Sequence, residues 1–133
     1  MAVSGAVTVA AISVGAAAGA LARWRLGLWL NPPQALLPWG TLCANWVGAY
    51  AIGVVVVYLQ QHSGLDPVWR AALVTGLLGG LTTFSSFSME TVALLQNGRL
   101  GLAAANTGLH VGGSLVLTWL GVLNARAWWP APT

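Results

Sequence analysis

Residues 79–90 read GGLTTFSSFSME and place a run of hydroxyl side chains inside an otherwise apolar segment. An unpaired polar group costs several kcal/mol in hydrocarbon, so a surface other than lipid must face this run. Gly79 and Gly80 begin the run, and a glycine pair is a weak point in a helix. We predict that the helix carrying this run is broken near its middle at the glycine pair, which frees backbone groups to bind an ion or line a cavity. The hydroxyls belong to Thr82, Thr83, Ser85, Ser86, Ser88 and Thr91.

A continuous helix is the alternative for the same run. Hydroxyls of Ser and Thr can bond back to a carbonyl one turn earlier in their own helix, which satisfies them without a break. Phe84 and Phe87 lie three residues apart and so share a helix face. They either pack in the interior or turn their positive ring edges towards an anion.

The composition around this run indicates a membrane protein. Hydrophobic residues make up 57% of the chain and charged residues 5%, too few to cover a water-facing surface. A hydrocarbon core of about 30 Å needs about 20 apolar residues per helix, so 133 residues accommodate four spans. We predict an all-α membrane protein in which one four-helix domain covers residues 1–133. Its helices are expected at about residues 3–22, 39–59, 68–96 and 100–123, and we expect the first to be retained rather than cleaved as a signal.

The basic residues are nearly balanced between the two ends of the predicted spans. Arg23, Arg25 and Arg99 fall on one side, and Arg70 and Arg126 fall on the other with the terminal amine. The positive-inside rule therefore gives little orientation, which favours insertion both ways up and an antiparallel homodimer. A chance balance is the alternative. Because the basic residues are scattered, we expect no nucleic-acid partner.

Polar side chains also interrupt the second and fourth predicted helices. Asn45 lies one turn after Thr41, and its amide suits either an anion or an interhelical clamp. On the fourth helix one polar stripe repeats every four residues. The stripe consists of Asn106, His110 and Ser114. Glu90 is the only acid in a span and indicates either a proton or cation site or a carboxylate near a helix end.

The sequence contains few residues or motifs that could support enzymatic catalysis. It contains no Gly-rich phosphate loop, nucleophile elbow, paired carboxylates or Cys/His metal spacing. With two acidic residues in the chain, few side chains are available for general acid-base catalysis. We predict that the protein is not an enzyme.

Three stretches together resemble the Fluc fluoride channel family, also called CrcB. They are GGLTTFSSFSME, GTLCANWVGAYAIG at residues 40–53 and GAAAGALARW at residues 15–24. The resemblance implies a fluoride-selective channel that exports fluoride passively across the cell inner membrane or plasma membrane. The protein would be a dual-topology homodimer in lipid, with two antiparallel pores.

The resemblance also assigns residues to the pore. Phe84 and Phe87 would present ring edges along it, and Asn45 would donate to the ion. The polar track would include Thr41, Ser114 and His110, although His110 stands where the family pattern has a smaller polar residue.

Two further sites follow from the same resemblance. A structural sodium ion would lie on the dimer axis, held by the backbone carbonyls of Gly79 and Thr82. Arg23 would match the basic residue at the pore vestibule.

Two other functions compete with the channel. A small dual-topology proton-coupled multidrug exporter would need a membrane carboxylate, usually early in the chain, whereas Glu90 comes late. A non-transporting assembly subunit would explain small-residue packing motifs but not the hydroxyl run beside its glycine pair.

Overall fold

A computed structural model describes residues 5–130, and every secondary-structure element in that range is a helix. Four helical spans are long and apolar enough to cross a membrane, as predicted. The first two are α1 (Gly5–Leu30) and α2 (Trp39–Gln61). The third span comprises α3 (Pro67–Arg70), a π-helical segment (Ala71–Leu78), α4 (Gly79–Leu81) and α5 (Phe84–Gln96). The fourth is α6 (Leu100–Trp128).

Two spans run further than the sequence analysis predicted. The first was expected to end near residue 22 but continues to Leu30, because Arg23 and Arg25 are compatible with a helix. Arg25 instead stacks its guanidinium over the Trp29 ring at 5.1 Å. The fourth span continues past residue 123 to Trp128. The expected start of the first helix at residue 3 lies outside the described residues.

The third span is broken, as predicted, but two residues beyond the glycine pair. Gly79 and Gly80 are helical, whereas Thr82 (φ −84°, ψ 155°) and Thr83 (φ −153°, ψ 123°) are extended. The Thr83 hydroxyl then caps α5 by accepting a hydrogen bond from the Ser86 amide at 3.2 Å. The break therefore lies where a capping threonine can start a new helix.

The hydroxyl run follows both of the patterns considered for it. Thr82, Ser88 and Thr91 donate to carbonyls one turn earlier, at 2.8, 2.9 and 2.8 Å. The hydroxyl oxygens of Ser85 and Ser86 instead form hydrogen bonds with the Thr83 hydroxyl oxygen, at 3.1 and 3.2 Å. Bonds to carbonyls one turn earlier thus satisfy half of these hydroxyls. The other half bond to one another at the break.

Close contact with α1 explains why position 80 is a glycine. A Cβ atom on Gly80 would overlap the backbone of Ala16, and one on Gly19 would overlap the Leu77 carbonyl. Neither position has room for a side chain, so the glycines allow α1 and the third span to approach closely.

The helices α2 and α6 pack against each other extensively. Among the hydrogen bonds that cross it are those from Trp46 Nε1 to the Leu109 carbonyl and from the Thr118 hydroxyl to the Ala49 carbonyl, both at 2.9 Å. At the crossing, a Cβ atom on Gly53 would overlap the Thr118 carbonyl. This contact fixes the position of α6 relative to the break.

We expect Gly53→Ala to destabilise this contact by about 1–3 kcal/mol, because the new methyl group overlaps backbone that cannot move away cheaply. Gly101→Ala is the matched control, since nothing lies within 4 Å of a Cβ atom there. The melting temperatures of the two variants, measured by thermal unfolding in detergent, test this prediction. Equal melting temperatures for the two variants would contradict the prediction.

Candidate functional site

A groove of about 510 Å³ lies where the break in the third span faces α2 and α6. It is open along the outer surface of the chain. Seven of the nine predicted site residues line it: Asn45, Gly79, Thr82, Phe84, Phe87, His110 and Ser114. The other two, Thr41 and Arg23, lie outside it.

Asn45 clamps the backbone at the break. The Thr83 amide donates to Asn45 Oδ1 at 2.7 Å, and Asn45 Nδ2 donates to the Thr83 carbonyl at 3.0 Å. The second hydrogen of Nδ2 points to His110 Nδ1, also at 3.0 Å. Both hydrogens of the amide are therefore used within the protein, and the clamp role considered for Asn45 is the one that the structure displays.

The clamp leaves two carbonyl oxygens without hydrogen-bond partners. In an unbroken helix the Thr83 amide would donate to the Gly79 carbonyl, but it donates to Asn45. The Ser86 amide, which would reach the Thr82 carbonyl, donates to the Thr83 hydroxyl. The carbonyls of Gly79 and Thr82 therefore accept no hydrogen bond within the described part of the chain.

Arg23 lies within α1 rather than at its end and reaches the third span. Its Nε donates to the Gly80 carbonyl at 3.2 Å, so the guanidinium sits beside the carbonyl end of α4. A cation at this end of a helix is favourable. The structure thus places a fixed positive charge next to the break.

Two phenyl rings continue from the break into α5. Phe84 and Phe87 meet edge to face, with centroids 5.3 Å apart and ring planes at 64°. Phe87 is buried and lies 4.8 Å from the His110 ring, whereas Phe84 is 74% exposed. The exposed ring lines the open side of the groove.

Thr41 pairs with the only acidic residue within the spans. Its hydroxyl donates to Glu90 Oε1 at 2.6 Å, while Glu90 Oε2 is buried without a partner among the described residues. Glu90 also lines a second groove, of about 470 Å³, whose wall includes Asn97 and Arg99. Neither Thr41 nor Glu90 lines the groove at the break.

The polar stripe on α6 is mostly buried. Asn106 is fully buried and donates through Nδ2 to the Thr91 hydroxyl at 3.0 Å, but its Oδ1 has no partner in the described chain. His110 is also buried, and its Nε2 lacks a partner there as well. Ser114 lies one turn further, at the groove.

Sequence reasoning counted Thr83 only as one hydroxyl of the run and missed its central position. Its backbone joins Asn45, and its side chain caps α5. The spacing to Ser86 and the helical pattern that follows were the available signal, because Thr is a common N-cap residue.

Interrupted spans that line a polar cavity are typical of membrane channels and transporters, and the fold and groove place the chain in that class. The chain belongs to the CrcB family. The family described as "CrcB-like protein, Camphor Resistance (CrcB)" matches residues 10–122, which confirms the resemblance seen in the sequence.

Curated relatives match over nearly their whole length. A protein named fluoride-specific ion channel FluC from Albidiferax ferrireducens is 58% identical over 90% of this chain and 91% of its own. Proteins of the same name from Variovorax paradoxus and Paracidovorax citrulli are 54% and 49% identical. These matches cover 90% and 94% of this chain, and 94% and 98% of the relatives.

Proposed function

We propose that this protein is a fluoride-selective channel that lets fluoride leave the cell passively. The observation that carries the proposal is the break at Thr82 and Thr83, which Asn45 holds beside the open groove. The family and the names of its relatives support the same function. They also agree with the prediction that the chain is not an enzyme.

The groove chemistry suits a small anion. Fluoride is tightly hydrated, so a selective path replaces its water with closely spaced donors that larger halides fit badly. Ser114 offers a hydroxyl, and Phe84 and Phe87 offer ring edges, without a formal charge that would trap the ion. Asn45 contributes by holding this geometry, because its own hydrogens are already bonded.

A second, antiparallel copy of the chain would close the groove. Gly79 and Thr82 line an open groove, their carbonyls accept no hydrogen bond within the described residues, and lipid cannot supply one. The balanced arginines allow both insertion directions, which such a pair needs. The homodimer would then contain two antiparallel pores, with Arg23 raising the anion concentration near each mouth.

The carbonyls of Gly79 and Thr82 fit the sodium ion that the family resemblance implies. Both lack hydrogen-bond partners within the described residues, and hard cations take oxygen ligands. Gly79 is exposed, so its carbonyl can face a second copy. Two carbonyls from each copy would supply four ligands on the dimer axis. When bound, sodium would supply a positive charge that joins the two broken spans.

The protein is a multi-pass protein of the cell membrane. The rival exporter is not favoured, because the only carboxylate in the described spans is Glu90, late in the chain, and the relatives are named as channels.

Purified protein in liposomes should release trapped fluoride on addition of an ionophore that balances charge, while chloride efflux stays at the level of protein-free vesicles. Fluoride and chloride electrodes measure the two rates. Equal rates for the two halides would contradict the proposal. Proton-coupled uptake of lipophilic cations would favour the exporter.

A further inference from the structure

A third groove, of about 570 Å³, lies between α1 and the first part of the third span, and we call it the α1 groove. Its lining comes from residues 7–18 of α1 and residues 68–77 of the third span. Every side chain that lines it is hydrocarbon except the indole of Trp69. The α1 groove shares no residue with the groove at the break. A second copy seated at the break therefore does not need the α1 groove.

The α1 groove has the length of one leaflet of a membrane. From residue 7 to residue 18 α1 rises about 17 Å, and half of a hydrocarbon core is about 15 Å. A Cβ atom on Gly15 would overlap the Ala72 carbonyl, and one on Gly19, a turn later, would overlap that of Leu77. The two helices therefore run side by side in the same direction. The groove between them leads from the first turn of the third span towards the middle of the membrane, as an extended acyl chain does.

The outer end of the α1 groove carries a donor and a charge that have no partner in the described chain. Trp69 lines the groove, is 59% exposed, and has an indole N–H group that meets no acceptor there. The guanidinium of Arg70, the next residue, is exposed and also unpaired among the described residues. The nearby acid, Asp66, instead accepts a hydrogen bond from the Val68 amide at 2.9 Å. Trp and Arg at a membrane surface are side chains that meet lipid headgroups.

We propose that the α1 groove binds one anionic phospholipid, with an acyl chain along the groove and the phosphate group against Arg70. The Trp69 N–H group would donate to an ester oxygen between the chain and the phosphate. Because helices in lipid are held together by packing, a chain that fills this groove would stabilise α1 against the third span. The inference goes beyond the channel function and does not depend on it.

The two parts of an anionic phospholipid distinguish it from other occupants. A zwitterionic lipid has the same chains, but its headgroup carries a positive charge that gains less from Arg70. A free phosphate would use Arg70 without the hydrocarbon lining. A second copy of the chain would use the lining and would need no phosphate. Only an anionic lipid requires both the groove and the guanidinium.

Thermal unfolding of the purified protein in a neutral detergent tests the role of the charge. Phosphatidylglycerol should raise the melting temperature by about 4 °C, because a ligand of the folded state stabilises it. Phosphatidylcholine with the same chains should need about a fivefold higher concentration for the same shift. R70Q should weaken the response to phosphatidylglycerol about fivefold and leave that to phosphatidylcholine unchanged, as expected for one basic residue at a membrane surface. R126Q is the matched control at the same end of the spans, on α6, and should respond as the wild type does.

Native mass spectrometry with added phosphatidylglycerol tests the role of the groove. The wild type should retain one phosphatidylglycerol per chain. Ala10 is exposed and lines the groove, so the ring of A10F takes the place of the acyl chain and this lipid should be lost. Ala17 is exposed on the same helix outside the groove, and A17F should keep the lipid. R70Q changes only an exposed side chain, so the proposal is still tested if A10F fails to fold.

Four results would overturn the proposal. The first is an equal response of the wild type to the two lipids, and the second is an equal loss in R70Q and R126Q. The third is stabilisation by glycerol phosphate, which has the charge without the chains and would indicate a site for a free phosphate. The fourth is a smaller number of chains per particle in A10F than in A17F, which would make the groove a contact between copies. All of these measurements are made without fluoride, so their failure is distinct from a failure of the proposed channel function.

Discussion

Asn45→Asp is expected to reduce fluoride efflux to the background of protein-free liposomes. The substitution keeps an acceptor for the Thr83 amide but removes both hydrogens of Nδ2. The Thr83 carbonyl then faces an oxygen instead of a donor. Each buried group left unpaired costs about 1–3 kcal/mol.

The new carboxylate also acts on the ion itself. A negative charge beside the groove repels an anion in a medium where water cannot screen it. Loss of the clamp and this repulsion both lower fluoride efflux. Replacing one amide nitrogen by an oxygen should therefore have a large effect.

Asn124→Asp is the matched control. Asn124 is exposed near the end of α6 and donates to the Tyr50 hydroxyl at 2.9 Å, away from the groove. It should keep wild-type efflux. Gel filtration establishes that both variants are folded, and near-normal efflux through Asn45→Asp would refute the role of Asn45 as the clamp.

The location of the break illustrates what the sequence could and could not predict. The hydroxyl run in an apolar segment indicated an interruption, because such groups need partners in hydrocarbon. The structure instead uses Gly80 for a close approach to Ala16 of α1 and places the break at Thr82 and Thr83. That contact joins residues far apart in the chain, so a local pattern could not reveal it.

The ends of the spans show a related limit. Arg23 and Arg25 suggested a membrane surface, yet the helix continues to Leu30, next to Asn31 and the prolines after it. Charge indicates where a span leaves the hydrocarbon, whereas proline determines where its helix ends. The π-helical segment at Ala71–Leu78 left no signal in composition or spacing.

The sequence allowed the residues of the site to be predicted more readily than the role of each residue. Asn45 stood out as a polar side chain in a span, but clamp and ion donor were equally compatible with its amide. Its partner Thr83 lies 38 residues later, and the pairing exists only once α2 and the third span are packed. Folding therefore assigns the role that residue type leaves open.

Thr41→Val should lower fluoride efflux roughly ten- to a hundredfold, the second large effect we expect. The Thr41 hydroxyl donates its hydrogen to the Glu90 carboxylate at 2.6 Å, so in this arrangement only the oxygen lone pairs of Thr41 are left for another group. Lone pairs and a carboxylate both repel fluoride. For Thr41 to act in the polar track, Glu90 must give up its acceptor role.

Glu90→Gln separates these two roles. A Gln amide can donate to the Thr41 hydroxyl oxygen, which turns the hydroxyl hydrogen towards the ion and removes the acid. Efflux should then be at least as fast as in the wild type, whereas Thr41→Val slows it in either background. Slow efflux through Glu90→Gln would show that fluoride passage needs the carboxyl group itself. A normal rate through Thr41→Val would remove Thr41 from the track, because the donor that only this residue can supply would then be dispensable.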